Sequence, residues 1–184
     1  ERVGCQPGDI FVAYIGSFAE YQGVPLLRDA ANRILSCGGS FRFVFVGGSS
    51  EERESMKKEV ERSACGDRLV HINRIDPEEV PDFLFACDVL VSPRLYGNNS
   101  PLKVLDYLRS GRCILATDTA ANRLLLNAEV ALLTEPSAKG LEQGIVKLAA
   151  DADLRAKLGR NGRILFEKRF GFDRFRDDLT KVFL

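Results

Sequence analysis

Short apolar runs alternate with amphipathic stretches along most of this chain. The runs Ile10–Ile15, Phe41–Val46, Leu69–Ile72, Val89–Val91, Cys113–Ala116 and Ala131–Leu133 are rich in Val, Ile, Leu and Phe. They lack the polar alternation of a half-exposed strand, so they predict strands buried on both faces of a parallel sheet. Helical spacing covers about 24–37, 51–64, 77–86 and 101–110 and, more weakly, 120–127. This alternation predicts an α/β fold with a doubly wound sheet of about six strands. After Pro136 the strands stop. Segments 138–150, 153–158, 160–169 and 172–184 read as successive helices broken at Asp151, Gly159 and Gly171, a helical tail of about 138–184. No repeat or linker divides the chain, so 1–184 is expected to be a single domain. Right-handed crossovers would align the carboxyl ends of the strands on one rim, where a ligand is expected.

Composition narrows the function classes. The chain has 184 residues, 45% hydrophobic and 28% charged, which suits a globular domain with a sizeable core. Its 26 basic and 26 acidic residues cancel, so no global field favours nucleic acid or an anionic membrane. No apolar run approaches the roughly 18–20 residues of a membrane span. The first residues, Glu1–Cys5, lack a signal-peptide h-region and do not read as a natural protein start. Five dispersed cysteines without a C-x-x-C pair point to a reducing, cytoplasmic setting, with thiols in structural positions. With His71 as the lone histidine, neither a metal site nor a Ser-His-Asp triad is expected. His71 itself, inside a predicted strand, reads as a hydrogen-bonded structural residue. In the tail, Arg160, Arg163, Lys168, Arg169, Arg174 and Arg176 mix with Phe166, Phe170, Phe172 and Phe175. Glu167, Asp173, Asp177 and Asp178 interleave with them, so a solvated helix with an apolar seam is the better reading, and no nucleic-acid partner is expected.

Candidate chemistry gathers at the strand ends. The first predicted strand runs into Gly16-Ser17 and the second into Gly47-Gly48. Glycine there serves either a tight turn or a close ligand approach. Neither a G-x-G-x-x-G nor a P-loop pattern is present. The segment Ser92–Leu108 says more. Ser100 suits an N-cap and Pro101 the first helical position, which would leave the N–H groups of Leu102 and Lys103 at a positive helix end. A cation such as Lys103 in the first turn opposes the helix dipole, a conflict that a bound phosphate would remove. The alternative is a lysine that swings into solvent. Asp106, three residues on, would accept hydrogen bonds from sugar hydroxyls, or pair with Lys103 or Arg109 on a solvated face.

Ser92-Pro93, followed by Ser100-Pro101-Leu102-Lys103-Val104-Leu105-Asp106-Tyr107-Leu108-Arg109-Ser110-Gly111 and Ile114-Leu115-Ala116-Thr117-Asp118, resembles the carboxyl-terminal half of group 1 glycosyltransferases (glycosyltransferase family 4, GT-B fold). The similarity starts at Tyr14–Phe18 and Tyr21-Gln22-Gly23. It continues through Phe45–Gly48, Pro77–Leu84 and Cys87–Pro93 to Leu154–Gly159. It implies a Rossmann-like donor domain that binds a nucleotide-diphosphate sugar. Retaining transfer without a metal or cofactor would then reach an acceptor held by an N-terminal domain, and any peripheral membrane contact would come through that other half. By the same resemblance the Gly16-Ser17 loop and the helix start Asn99, Ser100, Pro101, Leu102 and Lys103 would hold the phosphates, and Gln22, Gly47 and Asn98 would also belong to the donor site. Asp106 would bind the ribose, Arg74 would lie near the nucleobase, and Lys103 and Asp106 would carry the chemistry. Ser17, Gln22 and Asn98 stand where many members carry Arg, Lys and Glu. Lys103 and Arg94 would supply compensating charge. The competing expectation is a non-catalytic nucleotide-sugar-binding or scaffold module. In either case the chain alone is expected to bind a nucleotide weakly and transfer nothing.

Overall fold

All six apolar runs form strands: β1 (Ile10–Ile15), β2 (Phe41–Val46), β3 (Leu69–Ile72), β4 (Val89–Ser92), β5 (Cys113–Thr117) and β6 (Leu132–Thr134). The computed structural model describes residues 8–62, 66–172, 174, 176 and 180. Every pairing is parallel and the strand order is β3-β2-β1-β4-β5-β6. The helices are α1 (Val24–Ser36), α2 (Ser50–Arg62), α3 (Val80–Ala86), α4 (Lys103–Ser110), α5 (Ala120–Arg123), α6 (Ala138–Ala150) and α7 (Ala152–Phe170). This is the doubly wound, Rossmann-like arrangement expected, and the order reverses between β1 and β4.

The period-2 geometry of a strand sends neighbouring residues to opposite faces. Val12 and Tyr14 of β1, with Phe43, Phe45, Val89, Val91 and Leu115, pack under α1 and α6. Phe11 and Ala13, with Val44, Val46, Leu90 and Ile114, pack under α3 and α4. Because both faces are covered, β1, β2 and β5 show nearly continuous burial and no polar alternation, whereas the outer strands β3 and β6 are partly exposed. Helix α4 offers Val104, Tyr107 and Leu108 to the second layer, an i, i+3, i+4 stripe, and ends at Gly111 in the left-handed conformation. The exposed Cys37 and buried Cys87 and Cys113 occupy ordinary positions, and burial pushes the Cys113 thiol up to about 12.

Several boundaries differ from the sequence reading. The expected break at Gly159 is absent, and α7 runs straight through it. Gly159 is buried against the turn that ends α4, where a Cβ would fall on the Gly111 carbonyl oxygen. The glycine marks a close helix crossing rather than a stop. Helix α3 begins at Val80, because residues 77–79 form a turn closed by the Glu79 N–H on Asp76 O at 2.8 Å. Helix α5 ends at Arg123, and the chain continues through turns. Ser100 does not cap α4. The helix starts at Lys103 after two i→i+3 bonds, Val104 N–H to Pro101 O (2.8 Å) and Leu105 N–H to Leu102 O (2.9 Å), with Pro101 buried. Of the expected last helix, residues 173, 175, 177–179 and 181–184 lie outside the described residues.

The glycine crossing generates a test. Gly159→Ala should lower stability by about 2 kcal/mol, because the backbone of α7 must move away from Gly111. At Gly162 an added Cβ meets the flexible Leu108 Cδ2 at 3.2 Å and the Val130 carbonyl oxygen at an ordinary 3.8 Å. There the helix-propensity gain of about 1 kcal/mol offsets the crowding, so Gly162→Ala should be near neutral in denaturant titrations.

Candidate functional site

Where the order of a parallel sheet reverses, the loops leaving the two central strands diverge and open a crevice. Here β1 and β4 flank that point, and a cavity of about 750 Å³ lies between residues 21–22 and residues 94–103 of the loops that follow them. Its lining includes Tyr21, Gln22, Arg94, Tyr96, Gly97 and Asn98 through Lys103. Seven residues expected at the donor site from the family resemblance therefore meet here: Gln22, Asn98, Asn99, Ser100, Pro101, Leu102 and Lys103. Among the described residues the N–H groups of Leu102 and Lys103 have no acceptor, so the start of α4 presents free donors to this space.

Lys103 does not swing into solvent, nor does it pair with Asp106. Its Nζ donates to Gln22 Oε1 at 2.7 Å and to Tyr14 Oη at 2.8 Å, and it sits 4.1 Å from the centre of the Tyr14 ring. The Tyr14 hydroxyl donates in turn to Ser17 O at 2.5 Å. Burial, reinforced by the neighbouring Arg94, pushes the Lys103 amine down to about 7. Burial moves Tyr14 the other way, well above the usual phenol range, so it stays protonated as a donor. The ammonium thus reaches the Gln22 side chain from across the crevice.

Arg94 is the second cation and is nearly enclosed, with 6% of its surface exposed. Its Nε donates to Tyr96 O at 3.0 Å, and the guanidinium lies 5.1 Å from the centre of the Tyr21 ring. A Cβ on Gly97 would come within 2.5 Å of the Arg94 guanidinium, so this glycine leaves the arginine its place. Two cations therefore share a cavity whose lining contains no carboxylate. Like charges at close range repel, and an anion between them removes the penalty.

The turn at Gly16, backed by Gly47, lies next to Lys103 but outside the cavity lining. Gly16 has φ 145°, and a Cβ there would sit 3.0 Å from Lys103 Nζ. Gly47, at φ 115°, packs on the Gly16 carbonyl so closely that no side chain fits. His71 Nε2 donates to Gly47 O at 2.9 Å, the structural hydrogen bond expected of it. Ser17 is exposed and contributes its carbonyl to the Tyr14 bond. Arg74 is exposed beyond β3 and lines neither this cavity nor the next.

Asp106 falls elsewhere. It lines a cavity of about 370 Å³ between α3, α4 and α7, with Val80, Pro81, Asp82, Leu84, Phe85, Arg109, Ser110 and Arg163. Burial raises its carboxyl pKa, and Arg109 opposes that shift. Tyr14 and Tyr21 stand in the sequence motifs, but neither they nor Tyr96 and Gly97 carry a site role in the sequence reading. Tyr14 read as one more buried strand position, and only its hydroxyl at the strand end could have marked it. Among the described residues, no three His, Cys, Asp or Glu side chains cluster as metal ligands, and no helix is long and apolar enough to cross a membrane.

Comparison with known proteins shows the family and the fold. The family model for glycosyl transferases group 1 matches residues 2–165, and the chain belongs to that family. Among solved structures, sucrose-phosphate synthase from Thermosynechococcus elongatus superposes with a TM-score of 0.84 at 23% identity, over 99% of this chain and 46% of that one. HepE from Anabaena, solved in complex with UDP-glucose, gives 0.82 at 15% identity, over 95% and 48%. The C-terminal domain of a group 1 glycosyl transferase (LpcC) from Francisella tularensis gives 0.78 at 20% identity, over 89% and 87%. The chain thus spans about half the length of the first two proteins and most of the isolated C-terminal domain. No curated protein matches the chain significantly.

The Lys103 environment sets a pH dependence. The unfolded amine keeps its proton to 10.5, the native one only to about 7. Between those values the unfolded chain binds the extra proton, so stability rises with pH across that interval. Lys103→Met should flatten this rise in denaturant midpoints measured from neutral to alkaline pH.

Proposed function

We propose that this chain is the donor-binding domain of a glycosyltransferase that takes a nucleotide-diphosphate sugar. The observation that carries the reading is the pair of cations, Lys103 and Arg94, in one switch-point cavity with no carboxylate on its lining. The diphosphate would lie between these cations and the free N–H groups at the start of α4, with the Gly16 and Gly47 turns allowing close approach. During transfer the bond from the sugar C1 to the diphosphate oxygen breaks, the acceptor hydroxyl oxygen bonds to C1, and the hydroxyl proton passes to the departing diphosphate. Lys103 and Arg94 would hold the charge that develops on the leaving diphosphate, the term that matters most in such chemistry. A retaining course, an acceptor held by an N-terminal domain, independence from metal and a cytoplasmic location complete the proposal.

Asp106 is assigned the ribose hydroxyls in this reading, and Arg74 the vicinity of the base. The neutral Ser17 and Asn98, with Asp106 on a separate cavity, favour a second reading in which the domain binds a nucleotide sugar without transfer. Donor hydrolysis by the full-length protein separates the two.

Calorimetric titration of this chain with UDP, GDP and ADP tests the site. At least one should bind, and Lys103→Met should weaken it by about tenfold or more. Because the diphosphate favours the charged amine, wild-type affinity should fall as pH rises above 7, and the Met variant should lack that fall. Three nucleotides without measurable heat or thermal stabilisation would remove the reading.

A further inference from the structure

Behind the cavity, and outside its lining, lies a closed polar cluster with a distinct role. Ser92, Thr117 and Asn122 are each 0% exposed. Buried polar groups without partners are costly, and here the partners are one another. Ser92 Oγ donates to Asn122 Oδ1 at 2.9 Å. The two protons of Asn122 Nδ2 serve three acceptors, with one proton shared: Thr117 O (2.9 Å), Thr117 Oγ1 (3.1 Å) and Ser92 O (3.2 Å). With its oxygen accepting from Asn122, the Thr117 hydroxyl points its proton away, toward the backbone carbonyl of Arg94, with Ser92 O a more distant acceptor at 3.4 Å. The Thr119 hydroxyl secures Asn122 by accepting its backbone N–H at 3.4 Å.

The cluster therefore ties the ends of β4 and β5 and helix α5 to the backbone of the residue that carries the second cation. On the cavity side the same segment is tied again. Leu95 N–H donates to Tyr21 O at 2.9 Å, and Gly23 packs on the Pro93 carbonyl with no room for a Cβ. The Arg94 side chain is then aimed by its Nε bond to Tyr96 O and by the gap at Gly97.

We propose that Thr117 and Asn122 are positioning residues that clamp the Arg94 backbone and thereby set the affinity of the cavity for a nucleoside diphosphate. This rests on the reading of that cavity as a diphosphate site. A held guanidinium offers its donors to phosphate oxygens without first losing conformational freedom, whereas a loosened one must be ordered on binding. Thr117→Val keeps the shape and removes the hydroxyl, and Thr117→Ser keeps the hydroxyl.

The experiment measures binding of the nucleoside diphosphate that the wild-type chain takes from the UDP, GDP and ADP set, beside the ¹⁵N signal of Arg94 Nε–H without ligand. Thr117→Val should weaken binding by about tenfold and broaden or lose the Arg94 signal, with Thr117→Ser restoring both. In an Arg94→Met background, Thr117→Val should have no further effect on affinity, because the clamp acts only through the arginine. If Thr117→Val does not fold, Asn122→Ser, which removes the amide that orients the hydroxyl, replaces it. An unchanged Arg94 signal, or an affinity loss that persists in the Arg94→Met background, overturns the proposal. Absence of binding by the wild-type chain overturns the diphosphate reading instead, and is recognised because the Arg94 signal reads the clamp without ligand.

Discussion

A lysine ammonium drawn between the ends of β1 and α4, with an arginine as its neighbour and no carboxylate on the cavity lining, is the feature around which the rim is organised. Its partners are all uncharged: the Gln22 amide oxygen, the Tyr14 hydroxyl and the Tyr14 ring. These contacts offset only part of the desolvation of the charge, so burial, reinforced by Arg94, still pulls the amine pKa down. Such an arrangement costs stability while the amine is charged, and in the proposed reading a bound diphosphate would offset that cost.

The surrounding structure makes that posture possible through close backbone approaches. Gly16 leaves room for the ammonium, Gly47 sits on Gly16, and His71 holds the Gly47 carbonyl. At the other side Gly97 leaves room for Arg94, and the cluster of Ser92, Thr117 and Asn122 holds the segment from behind. Beneath this rim two apolar layers fix the strand ends, so loops that carry the cations hang from a rigid frame.

The fold was legible because its signal is local and repetitive. Strands buried on both faces must be continuously apolar, and β1, β2 and β3 begin and end where their runs do. Helix punctuation was less legible because a glycine has two uses. At Gly111 it terminates α4 in the left-handed conformation, whereas at Gly159 it lets α7 pass over that same turn. No neighbouring residue distinguishes the two, since the difference lies in what crosses the helix. The Ser100-Pro101 pair misled for a similar reason: Pro101 is buried, and the chain enters α4 through an i→i+3 turn instead of a capped one.

For the site, the chain by itself determined the strand–helix alternation, the family, and the loop from Asn98 to Lys103 as part of a rim cavity, because short-range pattern and ordered motifs suffice for each. Only the tertiary structure decided which groups share that cavity. It brought Tyr14, Gln22 and Lys103 together across 81 and 89 residues of separation, enclosed Arg94 beside them, and put Asp106 on another cavity despite its place three residues from Lys103. Spacing along one helix says which residues are near in sequence. Which charges meet depends on strands reordered at the switch point, a contact no local pattern encodes.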